Sequence, residues 1–145
     1  MRYAYNDGGR RLAGFRGTTG DCATRSAAIV TGKPYLEVYN ALNGLGKLEK
    51  PSKRRRRKSN ARLGVYRCTV DKYLTSLGFK WTPTMFIGQG CKVHLKESEL
   101  PKGKLFVRLS RHYTAVIDGV IYDTYDCSRG ETRCVYGYYE VKNDI

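Results

Sequence analysis

Apolar and small residues recur at helical spacing in three stretches of the first half of the chain. Residues 23–31 follow Asp21, a residue type whose carboxylate accepts hydrogen bonds from the first free N–H groups of a helix. Residues 35–45 and 70–77 present apolar faces at the same spacing, and Thr69 stands where a cap for the last stretch is needed. The sequence therefore predicts three helices in this half.

The pattern then changes to aromatic and β-branched runs that are typical of strands. These runs are residues 79–87, 105–109, 112–117, 120–125 and 135–141. Asp118-Gly119 separates two of them, and this dipeptide is the strongest short signal for a two-residue hairpin turn. Helices that precede strands predict an α+β domain, with an N-terminal helical part packed on a C-terminal antiparallel sheet. Residues 3–20, rich in glycine, are expected to be extended and turn-rich.

The length of 145 residues fits one domain over residues 1–145. The net charge of +14 is uneven, because residues 47–62 carry nine of the 27 Lys and Arg residues and one acid. The densest part is a run of six basic residues: Lys53, Arg54, Arg55, Arg56, Arg57 and Lys58. Adjacent like charges repel, so residues 47–62 are predicted to form an exposed, poorly ordered loop. Dense Lys and Arg also favour contact with nucleic acid or another polyanion.

No signal-peptide pattern is visible, and the longest apolar run, residues 27–30, is far too short to span a membrane. We therefore expect a cytoplasmic protein that does not bind membranes. The five cysteines are an odd count without a CxxC pair, and in a reducing compartment they are expected to be thiols. Cys127 and Cys134 are the closest pair for a bridge or half a metal site, and His94 near Cys91 is interpreted as structural. No cofactor or metal is expected.

One cysteine stands where a helix start favours chemistry. Gly20-Asp21-Cys22 places the Cys22 thiol in the first turn of the first predicted helix. Helix N–H groups and the helix dipole favour a negative sulfur, and such positions lower a thiol pKa from about 8.5 to about 3.5–7.5. Asp21 opposes this effect unless its charge is occupied in capping the helix. A nucleophilic thiol also needs a base, and of the two histidines His112, at the start of a strand, is the candidate.

The turn of the predicted hairpin decides which acid can orient His112. With a two-residue turn, Ile117 pairs with Val120, and Asp123 falls on the face of His112, one diagonal step away. A three-residue turn would shift the register by one residue and make Asp126 the partner. The turn signal favours Asp123, and Asp126 stays open as the alternative.

A nucleophile at an early helix start, a histidine on a later strand and an acid on the next strand is the chain order of papain-like proteins. The stretches GDCATRSAAIVTGKPYLEVYNAL and RHYTAVIDGVIYDTYD resemble short, uncharacterised papain-like proteins of bacteria and their phages. Asp21-Cys22 is similar to the Asp-Cys-Gly start of bacteriocin-processing cysteine peptidases. The resemblance covers most of the chain outside residues 47–62. It implies a papain-like fold with a cleft between a helical and a β lobe, in a bacterial cell or a phage-infected host.

One window departs from that family. Papain-like enzymes usually carry a glutamine a few residues before the cysteine, where it helps to bind the oxyanion, whereas residues 16–19 here contain none. The backbone N–H of Cys22 remains available. Candidates for the second donor are Thr18, Thr19 and Asn6, and the loss of one such donor typically costs about 10²–10³ in rate.

These residues predict a cysteine-nucleophile hydrolase, a peptidase, isopeptidase or acyl-transfer enzyme that acts on a peptide or protein substrate. In this interpretation Cys22 attacks, His112 accepts and returns the proton, and Asp123 orients the ring. Two alternatives stay open. One is a basic nucleic-acid- or ribosome-associated binding protein on a catalytically inactive papain-like scaffold, and the other is a phage protein that binds and blocks a host partner. The sequence leaves the substrate and the oligomeric state open.

Overall fold

The computed structural model describes residues 1–17 and 19–141, which form three helices and one six-stranded sheet. The helices are α1 (Cys22–Thr31), α2 (Tyr35–Gly46) and α3 (Arg67–Ser76). The strands are β1 (Arg2–Tyr5), β2 (Phe79–Pro83), β3 (Lys104–Leu109), β4 (His112–Ile117), β5 (Val120–Asp123) and β6 (Gly137–Val141). This arrangement confirms the α+β class. None of the three helices is long and apolar enough to cross a membrane.

The six strands lie in the order β1-β5-β4-β3-β6-β2. Neighbours are antiparallel except β1 and β5, which run parallel with Arg2 opposite Val120 and Tyr5 opposite Asp123. The prediction of a purely antiparallel sheet after a turn-rich N-terminal segment is therefore wrong at this edge. A strand of four residues gives almost no alternation signal, and its partner is distant in sequence, so only the tertiary structure reveals the pairing.

Both faces of the sheet are buried. The helices cover one face, where Ala115 and Tyr139 belong to the main apolar cluster. Loops cover the other face, where Leu95 packs with Ile121. Residues 105–107 of β3 are consequently all buried instead of alternating between core and solvent.

Helix α1 lies with its N-terminus at the start of β4. The Ser26 hydroxyl donates to the Tyr113 carbonyl at 3.1 Å, and the Thr24 hydroxyl donates to the Ala61 carbonyl at 2.7 Å. Ala27, which is 2% exposed, presents only a methyl group to the core, so the helix can approach the sheet closely. These contacts bring Cys22 next to the first residues of β4.

The third helix begins earlier than the sequence predicted. Thr69 is not its cap but lies inside its first turn, buried, and its hydroxyl donates to the Glu49 carboxylate. The same carboxylate accepts hydrogen bonds from the Ser59 N–H, at 2.6 Å, and from the Ser59 hydroxyl. The prediction failed because the Thr69 hydroxyl binds a carboxylate that is distant in sequence, and local capping rules do not consider such partners.

The predicted hairpin register is confirmed. Ile117 pairs with Val120 across a two-residue turn in which Asp118 and Gly119 both have positive φ, 48° and 79°. This is the backbone that an Asp-Gly turn favours. A Cβ atom at Gly119 would come within 2.6 Å only of the exposed, flexible Glu97 side chain, so the backbone angle is what favours glycine here.

Two of the five cysteines are joined. Cys91 and Cys134 form a disulfide whose Cα atoms are 5.9 Å apart, whereas Cys22, Cys68 and Cys127 are free. The prediction that all cysteines are thiols is wrong for this pair, and Cys134 does not pair with Cys127. An antiparallel bridge between His94 and Cys134 brings the two segments together. The cysteines are 43 residues apart in the chain, a separation over which spacing carries no signal.

Candidate active site

Cys22 is half-buried at the first position of α1. Its backbone N–H has no acceptor within the helix, because the first N–H groups of a helix face outward unpaired. The His112 imidazole and the Tyr113 backbone N–H, at the start of β4, lie close enough to the sulfur to lower the pKa of the thiol. The structure therefore places the predicted nucleophile and the predicted base next to each other.

His112 is held by Asp123. Its Nε2 lies 2.7 Å from Asp123 Oδ2, so Nδ1 is the ring nitrogen left for the Cys22 thiol. Asp123 is 3% exposed and also accepts hydrogen bonds from the Thr114 hydroxyl and the Thr124 N–H, both at 2.7 Å. A carboxylate with this many donors has little freedom, and it holds the imidazole in one orientation.

The alternative acid is placed elsewhere. Asp126 accepts hydrogen bonds from the N–H and the hydroxyl of Ser128, at 3.0 and 2.8 Å. The Tyr125 ring packs against His112 instead, with ring centroids 5.2 Å apart. Asp123 is therefore the acid that contacts His112, as the two-residue turn required.

The surroundings of the Cys22 thiol favour its charged form. Burial alone would raise its pKa, but the hydrogen bond to His112 and the imidazole charge lower it below the ordinary value. The Tyr113 N–H and the Arg25 guanidinium act in the same direction. The sulfur therefore carries more thiolate at neutral pH than a solvent-exposed cysteine would.

The pKa values of His112 and Asp123 are shifted in opposite directions. Burial alone would lower the pKa of His112, but its hydrogen bonds to Asp123, Cys127 and Cys22 raise it to about 11. Burial would raise the pKa of Asp123, but hydrogen bonding and charge from His112 lower it, helped by Thr114. The geometry thus favours an imidazolium between a thiolate and a carboxylate at neutral pH.

Asp21 does not cap α1 as the sequence predicted. It stands at the N-cap position, but its side chain accepts no hydrogen bond from the backbone N–H groups of the helix. Its buried carboxylate binds the guanidinium groups of Arg10, at 3.0 Å, and Arg25, and accepts the Tyr35 hydroxyl at 2.7 Å. The negative charge beside Cys22 is therefore neutralised by two arginines, which removes the objection that Asp21 disfavours a thiolate.

Arg25 links Asp21 to the acid of the site. Its second terminal nitrogen lies 3.4 Å from Asp123 Oδ1, while its Nε is buried without a partner among the described residues. Arg25 was not among the predicted site residues, although it follows Asp21 by four residues, the spacing of an ion pair at a helix. Its reach to Asp123 and the roles of Arg10 and Tyr35 depend on tertiary packing and left no local signal.

Three residues of the site could act together as metal ligands. The ligand atoms of His112, Asp123 and Cys127 all lie within 4.8 Å of one another, which is close enough for a metal ion. However, each Asp123 oxygen already accepts at least two hydrogen bonds, and Arg25 adds a positive charge beside them. A cation would have to displace these donors next to that charge, so the residues fit a hydrogen-bonded acid and base better than a metal centre.

The three candidates for the second oxyanion donor differ in whether the structure leaves a donor free. Thr18 lies outside the described residues. The Thr19 hydroxyl donates to the Arg62 carbonyl at 2.5 Å, so this donor is already used. The Asn6 side-chain oxygen accepts the Gly8 N–H at 2.8 Å, which directs its amide NH₂ away from that turn. Asn6 also follows β1 and donates its N–H to the Asp123 carbonyl, so it lies beside the site.

Five cavities of the described residues have volumes of about 630, 530, 510, 490 and 300 Å³. Neither Cys22 nor His112 is among the residues that line them. The His112 side chain is 8% exposed, and Cys22 keeps partial exposure. Any substrate therefore approaches the sulfur from the exposed side of Cys22.

The basic run lies at the surface between α2 and α3. Residues 51–58 are all exposed, as the sequence predicted. Ser59, in contrast, is 7% exposed, and its N–H donates to Glu49. The predicted loop 47–62 is therefore held in place near its C-terminal end. The Arg55 guanidinium lies 5.0 Å from the centre of the Tyr66 ring.

Comparison of this chain with family models, with curated proteins and with solved structures found no match.

Proposed function

We propose that this protein is a cysteine-nucleophile hydrolase that cleaves or transfers the acyl group of a peptide or isopeptide bond. The observation that carries the proposal is the chain of contacts from the Cys22 thiol through His112 to Asp123, at the N-terminus of α1. The order of the three residues along the chain is that of the papain-like proteins that the sequence resembles.

In the proposed reaction, the Cys22 thiolate attacks the substrate carbonyl carbon, and its electrons move onto the carbonyl oxygen. The backbone N–H of Cys22 donates to this oxyanion. The His112 imidazolium gives its proton to the leaving amine as the C–N bond breaks, which leaves a thioester. Neutral His112 then takes a proton from water or from an acceptor amine, which attacks the thioester and releases Cys22.

Asp123 serves as a positioning residue in this scheme. It keeps the imidazole aligned through Nε2 and stabilises the imidazolium by its charge. Arg25 restrains Asp123 from the opposite side and, through its charge, favours the thiolate. The arginine thus joins the sulfur and the acid electrostatically.

Alkylation by iodoacetamide at pH 6 should modify Cys22 faster than Cys68, although Cys68 is the more exposed thiol. His112→Ala should slow the modification of Cys22 about tenfold or more, since each unit of pKa increase above the pH costs a factor of ten in thiolate. Peptide mapping by mass spectrometry measures both rates, and Cys68→Ser provides the matched control that keeps the fast reaction. Equal rates at both thiols in the folded protein would contradict an activated Cys22.

Hydrolysis needs its own test, because a reactive thiol is not yet an enzyme. Incubation with a mixed peptide library should give cleaved products with the wild type and none with Cys22→Ala. A fast-reacting Cys22 that cleaves no peptide or isopeptide bond would leave the site chemistry intact and contradict the proposed function.

A second candidate function is contact with a polyanion through the basic run, residues 53–58. Its support is that all six side chains are exposed next to one another. Phosphate contacts release counterions, so binding by such a run weakens steeply with salt.

Replacing residues 53–58 by six Gly and Ser residues should change the free energy of unfolding by less than about 1 kcal/mol, because the lost contacts are all exposed. It should also lower the log–log salt slope of duplex DNA binding by about five if all six charges contact phosphates. Thermal unfolding and binding at several salt concentrations measure these effects. Glu49→Ala, which removes the acceptor of Ser59 and Thr69, should destabilise the protein more. An unfolded 53–58 variant or an unchanged salt slope would contradict this assignment.

A further inference from the structure

A second basic surface lies beside β2, the edge strand of the sheet, and Cys22, His112 and Asp123 are not among the residues that line it. It surrounds a cavity of about 490 Å³ between α3, β2 and β3. We call it the aromatic pocket and define it by Arg67, Trp81, Phe86, Arg108 and Tyr136. No aspartate or glutamate is among the residues that line it.

Two arginines of the aromatic pocket lie on aromatic rings. The guanidinium of Arg67 is 5.1 Å from the centre of a Trp81 ring, and that of Arg108 is 5.4 Å from the centre of the Tyr136 ring. Neither guanidinium is within 4.0 Å of a carboxylate in the described part of the chain. Asp71, one turn along α3 from Arg67, accepts the Tyr139 hydroxyl at 2.8 Å instead. The two charges are therefore available to an anionic ligand.

The ring of Trp81 is fixed in place by its neighbours. Two carbons of its indole lie beside Gly137, where a Cβ atom would come within 2.4 Å of both. On β6, the Tyr139 ring lies 4.8 Å from it. A ligand that stacks here meets a surface that is already ordered, which lowers the entropy cost of binding.

Exposed apolar side chains extend the aromatic pocket into solvent. Phe86 is half-exposed, and Ile87, the next residue, is fully exposed. Both belong to the loop after β2, whose Thr84 N–H donates to the Tyr136 carbonyl at 3.0 Å. Flat rings and unpaired guanidinium groups without acids suit a ligand that combines planar apolar faces with negative charge.

We propose that the aromatic pocket binds the unpaired bases of a single-stranded nucleic acid, while its phosphates contact Arg67 and Arg108. In a third pair of the same kind, the Arg55 guanidinium lies on the ring of Tyr66, the residue before Arg67. Arg55 belongs to the basic run, residues 53–58. The net charge of +14 favours a polyanion over a peptide, which would bring no consistent negative charge. This inference is independent of the proposed hydrolysis and rests partly on the polyanion contact proposed above.

The chain contains a single tryptophan, so the fluorescence of Trp81 reports directly on this pocket. A short single-stranded oligothymidylate should quench it at low salt, whereas inorganic polyphosphate, which has no bases, should bind without comparable quenching. Phe86→Ala should weaken oligothymidylate binding about fivefold or more, since stacking contributes about 1–3 kcal/mol per base. It should leave polyphosphate binding unchanged, because no charge is lost.

Matched variants separate stacking from charge. Arg67→Gln and Arg108→Gln should each weaken oligothymidylate binding more than Arg11→Gln, which removes the same charge at an exposed site on another surface. The Gly/Ser replacement of residues 53–58 should weaken the binding of oligothymidylate and of polyphosphate to the same extent. If that replacement abolishes binding while Phe86→Ala has no effect, the basic run binds polyanions and the aromatic pocket does not. Equal quenching by polyphosphate, or no binding of oligothymidylate, would also overturn the inference.

Discussion

Asp21→Ala should lower the free energy of unfolding by about 3–5 kcal/mol, the usual cost of breaking a buried ion pair from one side. The carboxylate is 1% exposed and binds Arg10, Arg25 and the Tyr35 hydroxyl. Its removal would leave two largely buried guanidinium charges with only the more distant Asp123, at 3.4 Å from Arg25. Because domains of this size are stable by only about 5–15 kcal/mol, urea unfolding should show the loss clearly.

Two matched variants calibrate this prediction. Glu37→Ala removes an exposed carboxylate 3.9 Å from Lys33 and should cost less than about 1 kcal/mol. Tyr35→Phe removes one hydrogen bond to Asp21 and should cost about 1 kcal/mol. If Asp21→Ala does not fold, Asp21→Asn keeps the shape without the charge and should still cost more than Glu37→Ala. An effect of Asp21 no larger than that of Glu37 would show that the buried network does not hold the helix start.

The parts of the fold that the sequence predicted are those with local signals. Helix α1 ends at Thr31 and is capped by Gly32, whose φ of 72° is the left-handed conformation that glycine favours. The Asp118-Gly119 turn determined the pairing of β4 with β5. The parallel pairing of β1 with β5 and the Cys91–Cys134 disulfide join segments that are far apart in the chain. Neither has a spacing or a pattern that differs from chance.

The same distinction holds in the candidate site. Asp123 was predictable because turn length sets the register, and register sets which side chains share a face. Asp21 was misinterpreted because a capping rule considers only the backbone of its own helix, whereas buried arginines and a tyrosine competed for its carboxylate. A charged pair that is buried overrides a local preference worth about 1 kcal/mol.

His112 should remain protonated through the pH range in which an unperturbed imidazole, with a pKa of about 6.5, loses its proton. Its hydrogen bonds and the neighbouring negative groups raise its pKa to about 11. NMR titration of the imidazole C–H signals measures this directly, and since the chain has only two histidines, His94→Gln assigns the signals. Asp123→Asn keeps an acceptor for Nε2 but removes the charge, so it should lower the pKa of His112 by about 1–3 units.

The sign of the linked stability follows from the same shifts. Because the pKa of His112 in the folded protein lies above its unfolded value of about 6.5, its contribution is full below that pH and is lost as the pH rises towards about 11. The lowered pKa of Asp123 gives a contribution that is present above about 3.8 and is lost as the pH falls through the folded value. The pair should therefore stabilise the fold most between about pH 3.8 and about pH 6.5. Asp123→Asn should make the free energy of unfolding depend less on pH on both sides of this range. If His112 of the wild type titrated between pH 6 and 7, the imidazolium between Cys22 and Asp123 would be absent at neutral pH, and the Cys22 thiol would lose the main positive charge that lowers its pKa.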